Sequence, residues 1–330
     1  MEEHLSQMTH GESISTKTNP ARNDSTGSLW GIDLGGTKIE GVILDQSNPL
    51  TPLHRLRVPT ESSKGYDHIL NQIESLISKL ESAATTKRPY QIGVGTPGIT
   101  SPQSGLLKNS NTICLNGKNL VHDLGEISQS RFLLANDANC CALAESTLGS
   151  ARDQRTVFGI ILGTGVGGGI VVDKQVLVGA HGICGEWGHN PLRGEETPCY
   201  CGRRGCIETV CSGPALETFY ESLCGDRVPL REIAMRASSG DTPALATLER
   251  LQSKFAEGLA AVINILDPDA IVIGGGVGNL DLLYSDETRE AIRAHLFNDR
   301  FETPLLRPAL GDSAGVFGAA MLSADPATAL

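Results

Sequence analysis

Four residues in an eighteen-residue window, His189, Cys199, Cys201 and Cys206, make up the donor set of a closed tetrahedral zinc site, one imidazole and three thiolates. The spacing, His-x9-Cys-x-Cys-x4-Cys, is hard to account for without a metal in a chain with no evident reason to form disulfides. Four protein ligands leave no open position for water, so the zinc expected here is structural and activates no nucleophile. Its effect is geometric, because the same loop carries Glu186 and Glu208. Both carboxylates are suited to accept hydrogen bonds from vicinal hydroxyls of a sugar, each contact contributing on the order of 1.5–3 kcal/mol. Taken singly, either also reads as a solvated surface acid.

Three glycine-rich turns add a second kind of chemistry. GIDLGGTK, ending at Lys38, approaches a P-loop, but its Thr and Lys stand in the wrong order and a strand follows where a helix should. What survives is backbone: Gly35 and Gly36 bring N–H groups close to phosphate oxygens, Thr37 adds a hydroxyl, and Asp33 puts a carboxylate within reach of Mg2+. GTGVGGG repeats the device with Thr164, Gly165, Gly167 and Gly168, again followed by a strand-like run. Gly275 and Gly276 end a third apolar strand, where an adenine ring could lie against bare backbone. Each turn alone also reads as an ordinary turn; three together point to a nucleotide.

Asp137 follows Asn136 at the end of the apolar strand RFLLAN. It is either a helix N-cap or a general base that takes the proton of a sugar hydroxyl attacking a γ-phosphate, with Asn136 orienting the same sugar. Spacing does not choose between these roles.

The elements that must position these groups are legible from periodicity. LWGIDLGGTKIEGVIL reads as a hairpin, and residues 66 to 80 place apolar side chains at helical spacing. TVFGIILGTGVGGGIVVDKQV is a second hairpin, which suggests two related domains with one phosphate-facing turn each. A long helical region through residue 263 follows, then the strand before Gly274, then a final helix with Asp312 or Ser313 as N-cap. The expected division is a polar tail over residues 1–28, an N-terminal α/β domain over 29–140 and a C-terminal α/β domain over 141–330. The latter carries the metal insertion, 181–211, and a last helix packing back at the hinge.

Composition narrows the partners. Thirty-eight glycines, 40% apolar and only 4% aromatic residues suit a globular α/β protein with many tight turns. A net charge of −11 gives no footprint for nucleic acid or an anionic membrane, and no apolar run reaches about 18 residues. Nine cysteines without a secretory signal point to a reducing, cytoplasmic setting, the six outside the metal set being expected as small buried residues.

DLGGTK, GTPG (95–98), NDAN (136–139), GTGVGGG, GEWGH (185–189), CYCGRRGCIE (199–208) and LDPDAIVIGGG (266–276) together resemble, in order, the ROK family of repressors, open reading frames and kinases. The resemblance implies the two-domain actin-like ATPase (ribonuclease H-like) sugar kinase fold, closing around ATP-Mg2+ and a hexose. It implies Asp137 as catalytic base and Asn111, Asn136, Glu186, His189 and Glu208 as sugar contacts, His189 serving sugar and zinc at once. It also implies phosphate turns over Asp33–Lys38 and Gly165–Gly169. The wording of GEWGHNPL and TPCYCG looks most like the fructokinase or manno(fructo)kinase branch, so the expected activity is an ATP:hexose 6-phosphotransferase with fructose first, mannose or glucose next. The alternatives are an N-acetylglucosamine kinase or glucokinase, a polyphosphate-dependent kinase, and, in another class, a sugar-responsive repressor, against which the lack of a helix-turn-helix speaks. A homodimer fits the family.

Overall fold

The computed structural model describes residues 27–84 and 87–324. The tail expected over 1–28 therefore lies outside the described residues as far as residue 26.

Near-continuous apolar runs, buried on both faces, build the centre of the first sheet. β1 (Ser28–Leu34) turns back into β2 (Lys38–Asp45), with Leu34 opposite Ile39, and β2 pairs with β3 (Asn48–Pro59). The helical spacing read from residue 66 becomes α1 (Tyr66–Ala84), which runs four residues beyond the expected end at 80 and buries Ile69, Ile73, Leu76, Ile77 and Leu80. β4 (Gln91–Thr96) returns parallel to β1, and a small hairpin, β5 (Ile99–Thr100) and β6 (Leu107–Lys108), follows. Next come α2 (Leu120–Ser128), β7 (Arg131–Asn136) parallel to β4, and α3 (Asp137–Thr147). The strand order is β3-β2-β1-β4-β7.

The second sheet repeats that plan. β8 (Thr156–Leu162) and β9 (Val166–Val172) form the hairpin, and β10 (Gln175–Val176) extends it. After the cysteine-bearing loop come α4 (Glu208–Cys211), α5 (Gly213–Cys224), α6 (Leu230–Ser238) and α7 (Thr242–Leu266), so the single helical region read from the sequence is several helices. β11 (Ala270–Gly274), α8 (Gly275–Gly278), α9 (Asp286–Arg293), β12 (Leu305–Leu306) and α10 (Ala314–Met321) complete the chain. The order β10-β9-β8-β11-β12 matches the first sheet strand for strand, two antiparallel partners on one side and two parallel ones on the other. This is the two-sheet α/β architecture of the actin-like plan. No helix among the described residues is long and apolar enough to cross a membrane.

Two helices exchange places between the sheets. α3, which follows the last strand of the first sheet, packs on β8 and β9, while α10 packs on β1 and β4 as well as on α3. Glycines make room for both. A Cβ on Gly93 would stand 1.7 Å from Ala319 O, one on Gly159 2.6 Å from Ala142 Cβ, and one on Gly318 1.8 Å from Cys140 O. Residue 140 thus lies inside α3 at the crossing.

Local readings differ from the structure in two places. Ser313 stands at the cap position of α10, but neither it nor Asp312 caps the helix with its side chain. The preceding 3-10 turn, Gly311–Ser313, runs into α10 with helical backbone angles, and Ser313 Oγ instead accepts from Arg55 Nη1 at 2.9 Å. Among the six cysteines expected to be buried, Cys140 and Cys211 are buried, Cys114, Cys141 and Cys184 are half-buried, and Cys224 is exposed at the end of α5.

Replacing Gly93 by Ala is expected to lower stability by about 1–3 kcal/mol, because the added methyl meets a backbone oxygen that cannot move without shifting α10. Gly36→Ala, with nothing within 4 Å of its Cβ position, is the control expected to stay near the parent. Urea unfolding midpoints measure the difference.

Candidate active site

Register brings the first group together. Asp33 on β1 is level with Gly95 on β4, Gly95 with Ala135 on β7, and Thr96 with Asn136. The carboxyl ends of three parallel strands therefore share one edge, the place where open α/β sheets bind ligands. Asn136 caps α3, its Oδ1 accepting from Asn139 N at 2.7 Å, so the cap considered for Asp137 belongs to its neighbour. Asp137 occupies the first turn of the helix, where its Oδ1 takes the N–H of Ala138 at 2.8 Å. The segment that leads to Asn111 is drawn against Gly98, two residues past the end of β4, whose φ of +88° and close approach to Lys108 O and Ser110 admit only glycine. Asn116 braces that segment by bonding Ser110 N and O at 2.9 Å each, leaving the Asn111 side chain exposed.

The carboxylates there feel one another. The Asp137 side chain reaches solvent, yet the protein mass around it displaces enough water to raise its pKa, against the pull of the Ala138 N–H. Asp33 is pushed up to about 6, by burial first and then by the charges of Asp137 and Glu40, with Lys38 opposing. Glu40, which the sequence reading missed, is 2% exposed and gathers Arg55, Arg57 and Lys38 around its carboxylate on the β2–β3 face. Glu40 is the one acid inside the apolar run of β2, which is buried on both faces from Ile39 to Leu44, and that was the available signal.

The facing wall is the cysteine loop. Trp187 is its anchor: buried against Phe158 and Phe255, edge to face at 6.1 Å each, it donates Nε1–H to Gly258 O at 3.0 Å. Its neighbours Glu186 and His189 are thereby held at the surface of the second sheet. Glu186 has its pKa raised by burial, with Asp137 and Glu208 adding to the shift and His189 opposing it. Glu208 opens α4, and its Oε2 accepts from Val166 N at 2.9 Å, which ties the wall to the second glycine turn. Asp137, Glu186, His189 and Glu208 thus share one electrostatic neighbourhood.

The donor atoms of His189, Cys199, Cys201 and Cys206 lie within 4.8 Å of one another. Cys199 Sγ is 3.7 Å from His189 Nδ1, and Cys201 Sγ is 3.6 Å from Cys206 Sγ. Tetrahedral zinc with bonds of about 2.0–2.3 Å separates its ligands by roughly 3.5–3.8 Å, so donor set and spacing both fit zinc.

The two hairpin turns supply donors selectively. In the first, Gly35 N is consumed by Lys38 O at 3.0 Å, and the exposed groups are those of Gly36, Thr37 and Lys38. In the second, Gly163 N bonds Gly165 O and the turn presents Thr164. Gly167 and Gly168 lie inside β9, where their bareness admits Ala138 on one side and Gly185 on the other. Gly275 has a φ of +87° and backs onto Leu162 O, leaving Gly276 to face the open side. Thr164 and Gly276 line a cavity of about 820 Å3 together with Pro214, Leu230, Ala234 and Met235. The last four, on α5 and α6, carry no motif and were not found from sequence; only the fold brings those helices over the turns.

The ROK family profile matches residues 29–325. An N-acetyl-D-glucosamine kinase from Yersinia pseudotuberculosis is 33% identical over 303 residues, 89% of this chain and 98% of the relative. Among solved structures, a ROK hexokinase from Thermus thermophilus is similar with a TM-score of 0.80 and 32% identity, covering 89% of this chain and 97% of the other. A ROK glucokinase from Streptomyces griseus, in complex with glucose and AMPPNP, is similar with a TM-score of 0.70 and 26% identity, over 90% and 99% of the two chains.

Two measurements test this site. The raised Asp33 value means that the folded chain binds this proton more tightly than the unfolded chain, so ionisation costs stability. The cost is absent below 3.8, grows toward about 6 and is constant above. Asp33→Asn is therefore expected to match the parent in urea near pH 4 and to exceed it at pH 8. For the metal site, about one zinc per chain is expected by elemental analysis, lost in Cys206→Ser together with thermal stability.

Proposed function

The chain belongs to the ROK family as a sugar kinase, and from that membership we propose that it transfers the γ-phosphoryl group of ATP to the 6-hydroxyl of N-acetyl-D-glucosamine. The observation that carries this reading is the position of Asp137, which opens α3 just past the strand edge shared with Asp33 and whose charge reaches Asp33 on the nucleotide side and Glu186 on the wall side. A base between a phosphate site and a hydroxyl-binding wall suits phosphoryl transfer to a sugar. Fructose, first on motif wording, yields to N-acetylglucosamine because identity over 303 residues with a kinase of that sugar outweighs a few motif letters. ATP is preferred over polyphosphate because the cavity beside Thr164 and Gly276 has apolar walls from Pro214, Leu230, Ala234 and Met235, suited to a base and of no use to a bare phosphate chain.

In the mechanism the sugar lies between the wall and α3. Glu186 and Glu208 accept hydrogen bonds from its ring hydroxyls, and His189, Asn136 and Asn111 complete the hold. Asp137 takes the proton of the 6-hydroxyl as that oxygen bonds to the γ-phosphorus and the bond to the β–γ bridging oxygen breaks, releasing ADP. The raised pKa of Asp137 makes it a better proton acceptor than an ordinary surface aspartate. Gly36, Thr37 and Thr164 donate to the phosphates, and Asp33 would hold Mg2+, which supplies neutralisation of the charge on the phosphates when bound. Zinc would be held by His189, Cys199, Cys201 and Cys206, where it stiffens the wall.

Asp137→Asn is expected to lower kcat by about 10²- to 10⁴-fold while sugar affinity stays near the parent's. In a panel of sugars with ATP, N-acetylglucosamine is expected to lead fructose by at least about tenfold in kcat/KM. Fructose at the head of the panel would replace the sugar in this reading, and near-normal kcat in the variant would remove Asp137 from its role.

A further inference from the structure

Tyr200 stands between two of the thiolates and belongs to neither core nor metal set. Its side chain is 80% exposed, so it contributes little to folding by burial. Its backbone, by contrast, is pinned in a tight knuckle: Cys199 N bonds Arg203 O at 2.8 Å and Gly202 N bonds Cys199 O at 3.0 Å. The side chain folds back onto His189, its ring edge to face with the imidazole at 5.3 Å and its hydroxyl 3.1 Å from Nε2. Among the described residues, that hydroxyl has no other hydrogen-bonding partner.

The two ring nitrogens of His189 face different ways. Nδ1 is on the thiolate side, 3.7 Å from Cys199 Sγ. An imidazole that coordinates through Nδ1 carries its proton on Nε2 and donates it to an outer partner. In this structure the outer partner is the Tyr200 oxygen, which occupies the one imidazole donor left for a sugar. One N–H cannot serve a phenol and a sugar oxygen fully at once. Exchange is cheap, because a water-exposed hydrogen bond between neutral groups adds little net free energy and Tyr200 can turn about its side-chain torsions while its backbone stays fixed.

We propose that Tyr200 sets sugar affinity as a placeholder: its phenol holds the position on His189 Nε2 that the sugar takes, and leaves it when sugar binds. This inference rests on the reading of His189 as a sugar ligand. It has a distinctive consequence. A competitor inside the protein weakens every sugar by the same factor, so its removal tightens all of them equally and leaves their order unchanged.

The test is Tyr200→Phe, which keeps the ring and removes the phenol. Sugar dissociation constants are measured by calorimetry without nucleotide, for N-acetylglucosamine and for each other sugar that the parent phosphorylates, with zinc content as a check on the loop. The expected result is binding about two- to tenfold tighter, by one common factor across sugars, with unchanged zinc and kcat within about twofold. Unchanged or weaker binding in Tyr200→Phe overturns the proposal, and so does a factor that differs between sugars, which would make Tyr200 a direct contact. A parent that phosphorylates other sugars and not N-acetylglucosamine overturns the substrate reading instead, and the Tyr200 comparison is then made on those sugars.

Discussion

The glycine-lined crossing of α3 and α10 is the contact on which the rest of the molecule depends. α3 begins with Asp137 and packs on the second sheet; α10 packs on the first. Each helix therefore belongs to one sheet by sequence and to the other by packing. Because Gly318 lies against the Cys140 carbonyl and Gly93 against the Ala319 carbonyl, the backbones approach more closely than any side chain would allow. Close-packed interiors are stiff, so the crossing fixes the direction of α3 and with it the position of Asp137. Asp33, at the end of β1, lies beside the same crossing, with Gly315 of α10 leaving room for its carboxylate.

Around that fixed point the protein collects like charges. Asp33, Asp137 and Glu186 all have pKa values above those of free carboxyls, mainly through burial, and the charge of Asp137 adds to the rise at Asp33 and Glu186. Such crowding of like charge makes ionisation unfavourable, and in the proposed function a cation at Asp33 and hydroxyl donors at Glu186 would relieve it. The cysteine loop resists the repulsion from the other side. Trp187 sinks it into the core of the second sheet, Glu208 pins it to Val166 N, and the four donor atoms converge at spacings that suit a tetrahedral ion. Rigidity on both sides of Asp137 is what the proposed phosphoryl transfer to a sugar asks of a scaffold.

Much of this was legible in the sequence because the signals were local. The apolar runs and glycine turns of the β1–β2 and β8–β9 hairpins, the helical spacing of α1 and the donor set of the cysteine loop each follow from a few neighbouring residues. The glycine runs were legible as turns but not in their division of labour. Gly36 faces solvent, Gly275 answers to Leu162 O, and Gly167 and Gly168 make room for other backbone, distinctions set by neighbours remote in sequence. The cap of α3 fell on Asn136 and not on Asp137, which no residue count distinguishes. Glu40 with its two arginines from β3 and the apolar walls offered by α5 and α6 escaped the reading because their partners come from separate elements.

By itself, then, the sequence determined which residues carry chemistry: a zinc-type donor set, two flanking acids, a candidate base and three glycine turns. Those properties reside in residue type and short spacing. The tertiary structure alone decided which of them meet. Sheet register aligns Asp33, Asn136 and Asp137 at one edge, the helix crossing turns that edge toward Glu186 and Glu208, and the knuckle between Cys199 and Cys201 lays Tyr200 on His189. The reason is physical: a carboxylate's pKa, a nitrogen's free proton and a turn's open N–H depend on what packs within a few ångströms. That packing is set by contacts between residues tens to hundreds of positions apart.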